Sequence, residues 1–195
     1  MRQIAVAALA LAISALAGCG SSPKVNFYTL SFAAVTERTE AKPSYVVAIG
    51  PVTVPDVIDR PQFVTRAAAN QVTIDEFARW AEPLRSAIPR VIAANLAQLL
   101  SGAQVFAYPQ SANVEADYKV LIDVQRFESV PGDAAILEAA WTVRKAKGGA
   151  QKAGRTAVRE PADRAGYDAL VAAHGRALAA ASRPIADAIR AAEQQ

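Results

Sequence analysis

The segment Tyr118–Val130, YKVLIDVQRFESV, followed four residues later by Ala135–Lys145, AILEAAWTVRK, decides the fold. In the first stretch Tyr118, Val120, Ile122 and Val124 alternate with Lys119, Asp123 and Gln125, the period-two pattern of a strand with one buried face. In the second, Leu137, Ala139, Trp141 and Val143 face one way and Glu138, Thr142 and Arg144 the other. The two are expected to pair, and Gly148 and Gly149 supply a turn into a weaker third strand, Gln151–Val158.

Working outward, YVVAIGPVTVP, Tyr45–Pro55, is β-branched and almost continuously apolar, which suits a strand covered on both faces near the middle of a sheet. Gly50 and Pro51 predict a bulge or an exit from the sheet, because proline cannot donate to a central ladder. Phe27–Phe32 and Gln104–Tyr108 are short strands, Ala33–Ser44 is a loop, and Gln62–Arg66 with Gln71–Ile74 forms a small hairpin around Ala69 and Asn70.

Leu84, Ile88, Val91, Ile92, Leu96 and Leu99 recur at helical spacing after Pro83, with Gly102 as the stop and Pro89 expected to kink the helix or delay its start. A second helix, Ala162–Glu193, carries Tyr167, Leu170, Val171, Leu178, Ile185 and Ile189, with a bend or break at Pro184. The order of strands, helix, antiparallel strands and helix predicts a single α+β domain, a mostly antiparallel sheet with two main helices on one face.

The chain has one cysteine, Cys19, and one histidine, His174. A lone cysteine makes no intramolecular disulfide, and a thiolate zinc site usually needs more than one. Arg2 precedes an uncharged apolar run, Ile4–Ala17, about 14 residues long and short of the roughly 20 that span a bilayer. This is the layout of a secretory signal peptide. Leu16, Ala17, Gly18 and Cys19 resemble the lipobox of bacterial lipoproteins, in which the thiol is acylated and the chain is cut before the cysteine. The expected organisation is a signal peptide over 1–18, a lipid-anchored linker over 19–26 and a domain over 27–195. Gly20 after the cysteine implies sorting to the periplasmic face of the outer membrane.

Removing the first 18 residues leaves 177, enough for one core. With 21 basic and 18 acidic side chains the charge is nearly balanced, against a dedicated nucleic-acid binder. No phosphate-cradling glycine loop, HExxH or GxSxG is present, so no cofactor, metal site or catalytic residue is assigned. The carboxylates Asp56 with Asp59 and Asp75 with Glu76 read as surface-turn acids, and His174 as packed on the apolar stripe of its helix. Arg144, Lys145, Lys147, Lys152, Arg155 and Arg159 cluster along the last hairpin, either as a solvated tip or as a patch for anionic head groups or an acidic partner.

The stretch GPVTVPDVIDRPQFVTR, Gly50–Arg66, with RWAEPL, Arg79–Leu84, resembles the PqiC-like, or ABC-type transport auxiliary, lipoprotein family, as do Tyr28–Leu30, Asn70, Asn95 and Leu96. The resemblance implies a non-catalytic subunit anchored in the outer membrane. Its expected partner is a PqiB-like MCE-domain protein or an ABC transporter complex, in a system that moves lipid between membranes and maintains envelope integrity. The alternatives are a stand-alone periplasmic lipid or lipoprotein carrier, which needs an acyl-sized cavity, and an envelope hydrolase, which needs a polar cleft with converging acids.

Asp59, Arg60, Gln62 and Arg66 are candidate docking residues, and Trp80 is either an aromatic anchor or a plug of the core. Asn95 is expected to hydrogen-bond the crossing segment. A homo-oligomer is open, since no residue pattern demonstrates a ring.

Overall fold

The computed structural model describes residues 23–32, 44–149 and 151–193. The expected signal peptide, Cys19, the residues that follow it to Ser22 and most of the expected Ala33–Ser44 loop lie outside the described residues.

The elements are β1 (Asn26–Tyr28), β2 (Tyr45–Thr53), β3 (Gln62–Ala68), β4 (Gln71–Trp80), α1 (Leu84–Leu99), β5 (Ala103–Phe106), a 3-10 turn (Gln110–Asn113), β6 (Tyr118–Val130), β7 (Ala134–Lys145), β8 (Gln151–Pro161) and α2 (Tyr167–Glu193). The fold is α+β: one eight-stranded, mostly antiparallel sheet with two helices.

The long hairpin is its spine. β6 pairs with β7 from Tyr118↔Lys145 to Val130↔Ala134, and β7 carries β8 from Ala134↔Pro161 to Arg144↔Gln151. On its other side β6 receives two partners in succession, both parallel: β2 up to Thr53↔Asp123, and β3 at Thr65↔Ser129. β5 extends the sheet beyond β2, and β1 lies beyond β4. The parallel ladders of β1, β2, β3 and β5 are short, which is why alternation within the long hairpin reveals the antiparallel character and not the parallel component.

Both helices cover one face. β6 buries Tyr118, Val120, Ile122 and Val124, and β7 buries Leu137, Ala139, Trp141 and Val143. They meet Ile88, Ile92 and Leu96 of α1 and Leu170, Leu178, Ile185 and Ile189 of α2 in one apolar cluster. β2 is interior, with Val47 and Ile49 fully buried, and its register jumps between Ile49 and Val52, where Gly50 and Pro51 form the expected bulge. Beyond the last β5 pair, Ala48↔Phe106, the 3-10 turn takes over that edge of β2, its Ser111 hydroxyl donating to the Ile49 carbonyl at 2.6 Å.

Several expectations need correction. β1 is three residues instead of six, because it pairs only with the last three residues of β4; Leu30, beyond it, turns inward to 2% exposure. β4 runs to Trp80 instead of stopping at Ile74, through a bulge between the pairs Gln62↔Arg79 and Phe63↔Asp75. Asp75 organises that bulge: its Oδ1 accepts the amides of Phe77 (2.7 Å) and Ala78 (3.1 Å), and its Oδ2 the Tyr167 hydroxyl at 2.6 Å. The Tyr167 bond, then the Phe77 amide, hold this carboxyl below its ordinary range. The acidic pair that reads as a surface turn is therefore half a structural clasp.

β5 begins at Ala103 and ends at Phe106, not Tyr108. α1 starts at Leu84 without delay, with Pro89 buried inside it, and ends before Gly102, whose φ of 77° is the left-handed turn that residue supplies. α2 starts at Tyr167, not Ala162, because β8 pairs with β7 through Pro161. It continues through Pro184 without a break. Asn95 donates to the Ser182 hydroxyl of α2 at 3.5 Å, so it joins the two helices instead of holding the crossing segment.

At Gly154 the core face of β8 has no room for a side chain. A Cβ there would lie 2.3 Å from Cζ2 of Trp141, whose ring is fixed by donation from its Nε1 to the Thr156 hydroxyl at 3.0 Å. Gly154→Ala is expected to cost about 1–3 kcal/mol through overpacking. The check is the urea midpoint together with near-ultraviolet dichroism of the indole; an unchanged midpoint would show that the ring moves freely.

Candidate functional site

The Gly50–Arg66 stretch leaves β2, crosses the sheet and enters β3. The crossing is two tight turns, with the Ile58 amide donating to the Pro55 carbonyl (3.0 Å) and the Asp59 amide to the Asp56 carbonyl (3.3 Å). It fills the gap on the β6 edge between the last β2 pair, Thr53↔Asp123, and the first β3 pair, Thr65↔Ser129. The gap opens as a groove of about 80 Å³ lined by Pro55, Val57, Ile58, Val64, Arg66 and Val72 on one wall and Gln125–Ser129 on the other.

Register places this groove on the face without helices. Phe63, Thr65 and Phe127 are buried, so Val64, Arg66 and Glu128, which alternate with them along their strands, point the other way. Val64 pairs with Ile74 and Arg66 with Val72, which puts these four on one outward face. Phe27 of β1, opposite Arg79, shares it. Val57, Val72, Ile74 and Phe27 are 44, 37, 39 and 65% exposed. They make an apolar strip on this face, from the crossing segment across the β3–β4 hairpin, with Phe27 on β1 beyond Arg79.

A charged chain floors the groove. Arg66 pairs with Glu128 through its Nη2 and, at 3.3 Å, its Nε, and also donates to the Ala69 carbonyl at 3.1 Å. Arg126 bridges Glu128 (2.8 Å) and Glu138 (3.0 Å). Burial alone would raise the Glu128 carboxyl, but the hydrogen bonds from Arg126 and Arg66 outweigh it and hold the group below its ordinary value. The arrangement is an internally neutralised floor beneath apolar walls. It offers shape and apolar contact more than free charge.

The five docking candidates separate in space. Arg66 lines the groove. Asp59 accepts from Arg85 Nε at 3.0 Å, fastening the crossing segment to the start of α1, and Gln62 donates to Glu76 at 3.2 Å. Arg60 is half-buried, with its Nε lacking a hydrogen-bond partner among the described residues. Trp80 is 6% exposed and stacks on Phe63 with centroids 4.5 Å apart, the position of a core plug. Sequence reasoning passed over Val72 and Ile74; their pairing with Arg66 and Val64 is the signal, and it exists once the hairpin register is set.

His174 is fully buried, stacked on Phe127 at 3.9 Å and hydrogen-bonded through Nε2 to the Ser129 hydroxyl at 2.8 Å. Its Nδ1 has no hydrogen-bond partner among the described residues. Among the described residues no group of three or more His, Cys, Asp or Glu could hold a metal ion, and no helix is long and apolar enough to cross a membrane.

The model of a family described as the ABC-type transport auxiliary lipoprotein component matches residues 28–186, from the end of β1 into the second half of α2. No curated protein matches the sequence. The fold is similar to a crystal structure titled only as an uncharacterized protein, with a TM-score of 0.72 and 21% identity, covering 86% of this chain and 99% of that one. It is also similar to a Xanthomonas campestris protein of the DUF330 family, with a TM-score of 0.65 and 22% identity, covering 83% and 93%.

Proposed function

We propose, since the chain belongs to the ABC-type transport auxiliary lipoprotein component family, that it is a non-catalytic docking subunit of a lipid transport system. In this reading Cys19 is acylated and holds the domain on the periplasmic face of the outer membrane. The partner is an MCE-domain protein of the PqiB type or an ABC transporter complex.

The observation that carries the reading is the exposed apolar strip of Phe27, Val57, Val72 and Ile74 beside the groove on the helix-free face. The crossing segment that forms one wall is punctuated by Pro51, Pro55 and Pro61 and stitched by two turns and the Asp59–Arg85 pair. A stiff wall loses little entropy on binding, so apolar contact there converts efficiently into affinity.

The test is affinity capture from solubilised membranes, comparing the native chain with the double variant Val72→Asp, Ile74→Asp. The native chain is expected to retain the MCE-domain or ABC partner and the variant to lose at least tenfold, since exposed strand positions tolerate the change in fold while burying a charge at an interface does not. Persistent absence of both partner classes from the native eluate would overturn the reading. Uptake of phospholipid by the isolated, delipidated chain would favour the carrier instead. In parallel, Cys19→Ser is expected to leave folding intact and release the protein from the outer membrane; outer-membrane fractionation that survives the substitution would remove the anchor.

A further inference from the structure

From Arg144 to Arg159 the chain carries six cations and no acid: Arg144, Lys145, Lys147, Lys152, Arg155 and Arg159. The structure folds this segment into the end of the β7–β8 hairpin and its return strand, and register brings Lys119 of β6 beside Arg144. On the helix-free face the rows read Lys119, Arg144, Gln151, then Leu121, Thr142, Ala153, then Asp123, Ala140, Arg155. Leu121 is 52% exposed in the middle of this basic frame. Lys152 lies opposite the buried Val143 and so stands on the helix side. The cations therefore surround the hairpin end on both faces.

Three of the six make internal bonds, and among the described residues one of those is to an acid. Arg159 pairs with Asp133, Arg144 donates to Gln151 at 3.1 Å and Lys145 to the Ala192 carbonyl at 2.9 Å. Among the described residues, Lys119, Lys147, Lys152 and Arg155 have no ion-pair partner. The acids at this end include Glu115, exposed just before β6, Asp117, which accepts the Val46 amide at 2.8 Å, Asp123, which accepts from Thr53 and Gln125, and Glu193 at the end of α2.

We propose that the β7–β8 hairpin end is a membrane-contact element that inserts among anionic phospholipid head groups. Charge on both faces selects a plane of head groups over a protein groove, because a groove reads one face while a bilayer surface receives the tip from all sides. Each lysine or arginine near an anionic surface strengthens association about fivefold and does so within a Debye length. The hairpin also lies within reach of an anchored membrane. Seven residues from Cys19 to Asn26 span at most about 25 Å. The hairpin end stands five strand spacings of about 4.8 Å from β1. It lies level with Lys119, about 33 Å along β6 from Ser129, where β3 joins, so the domain reaches the surface with this end by tilting on its tether. The inference rests on the anchor reading for this proximity alone.

The experiment uses the full acylated chain carrying Ala146→Cys, an exposed site at the hairpin end, labelled with a fluorophore. Energy transfer to head-group-labelled lipid is read in neutral phosphatidylcholine vesicles with and without phosphatidylglycerol. Transfer is expected to rise with phosphatidylglycerol and to fall as salt shortens the Debye length from about 8 Å to about 3 Å. Adding Lys147→Gln, Lys152→Gln and Arg155→Gln is expected to weaken the contact on the order of a hundredfold.

Transfer indifferent to phosphatidylglycerol, or an undiminished signal in the triple glutamine variant, would overturn the proposal. So would contact that appears only when membrane proteins are restored, which assigns the surface to an acidic protein. Flotation with neutral vesicles reports the anchor separately: a chain that floats yet shows no anionic response sinks the hairpin, and one that does not float sinks the anchor.

Discussion

Trp80→Ala is expected to remove about 3–5 kcal/mol of stability, the cost of emptying a large aromatic site in a packed core. The indole stacks on Phe63, and its ring centre stands 6.4 Å from those of Phe127 and His174 in T-shaped contacts. Phe63 in turn meets Tyr28 and Tyr167, so β1, β3, β4, β6 and α2 converge on one aromatic cluster. Its truncation leaves a cavity whose walls belong to five elements and cannot collapse together. A domain stable by about 5–15 kcal/mol would lose a large share of its margin. Urea unfolding measures the loss, and capture of the partner at a temperature where the variant stays folded measures its consequence for docking. A loss below about 1 kcal/mol would show that Trp80 is not a core residue in solution; normal stability with lost capture would return it to the interface.

The aromatic cluster also explains what could be read from the sequence. The β6–β7 hairpin and the stripes of both helices are legible because each buries one face, and a single face leaves a period. β4 does not: Asp75 and Glu76 fall where its bulge breaks the alternation, and the reason for Asp75, a hydroxyl from Tyr167 some ninety residues later, has no local trace. Prolines mislead for a related reason. Pro89 and Pro184 each remove one helical hydrogen bond, but Ile88 and Ile92 on either side of the first, and Ile185 and Ile189 beyond the second, pack into the same core and hold the helices continuous.

The candidate site was half legible. Gly50–Arg66 forms the groove wall as a stretch, yet its polar residues are mostly spent inside the molecule: Asp59 on Arg85, Gln62 on Glu76 and Arg66 on Glu128. Polar side chains in a crossing segment are needed to satisfy neighbours as often as to meet a partner, and residue type alone does not separate the two uses. The apolar strip was missed because an exposed valine or isoleucine looks like the buried half of an alternating strand until its cross-strand neighbours are known.

Between pH 7 and pH 5 the stability of the folded chain is expected to fall by about 2 kcal/mol through one residue, His174, with a limiting slope of about 1.4 kcal/mol per pH unit. Complete burial pushes the imidazole down from 6.5 to about 3. Its Nε2 faces the Ser129 hydroxyl and its Nδ1 faces no partner, so the neutral tautomer with hydrogen on Nε2 leaves only a lone pair unsatisfied, while protonation would bury an unpaired N–H and a charge. Below 6.5 the unfolded chain takes up a proton that the folded chain refuses, so stability is full above 6.5 and drains as the pH falls toward about 3. Asp75 and Glu128, whose carboxyls are held below their ordinary values of 3.8 and 4.5, add their own loss in a more acidic window. The interval from 7 to 5 thus isolates the histidine. Denaturant titrations across it are expected to give a nearly flat line for His174→Gln, whatever that variant's absolute stability, against a falling line for the native chain. Parallel slopes would sink the assignment, and an imidazole resonance that titrates near 6.5 in the folded protein would show that the ring is accessible to water.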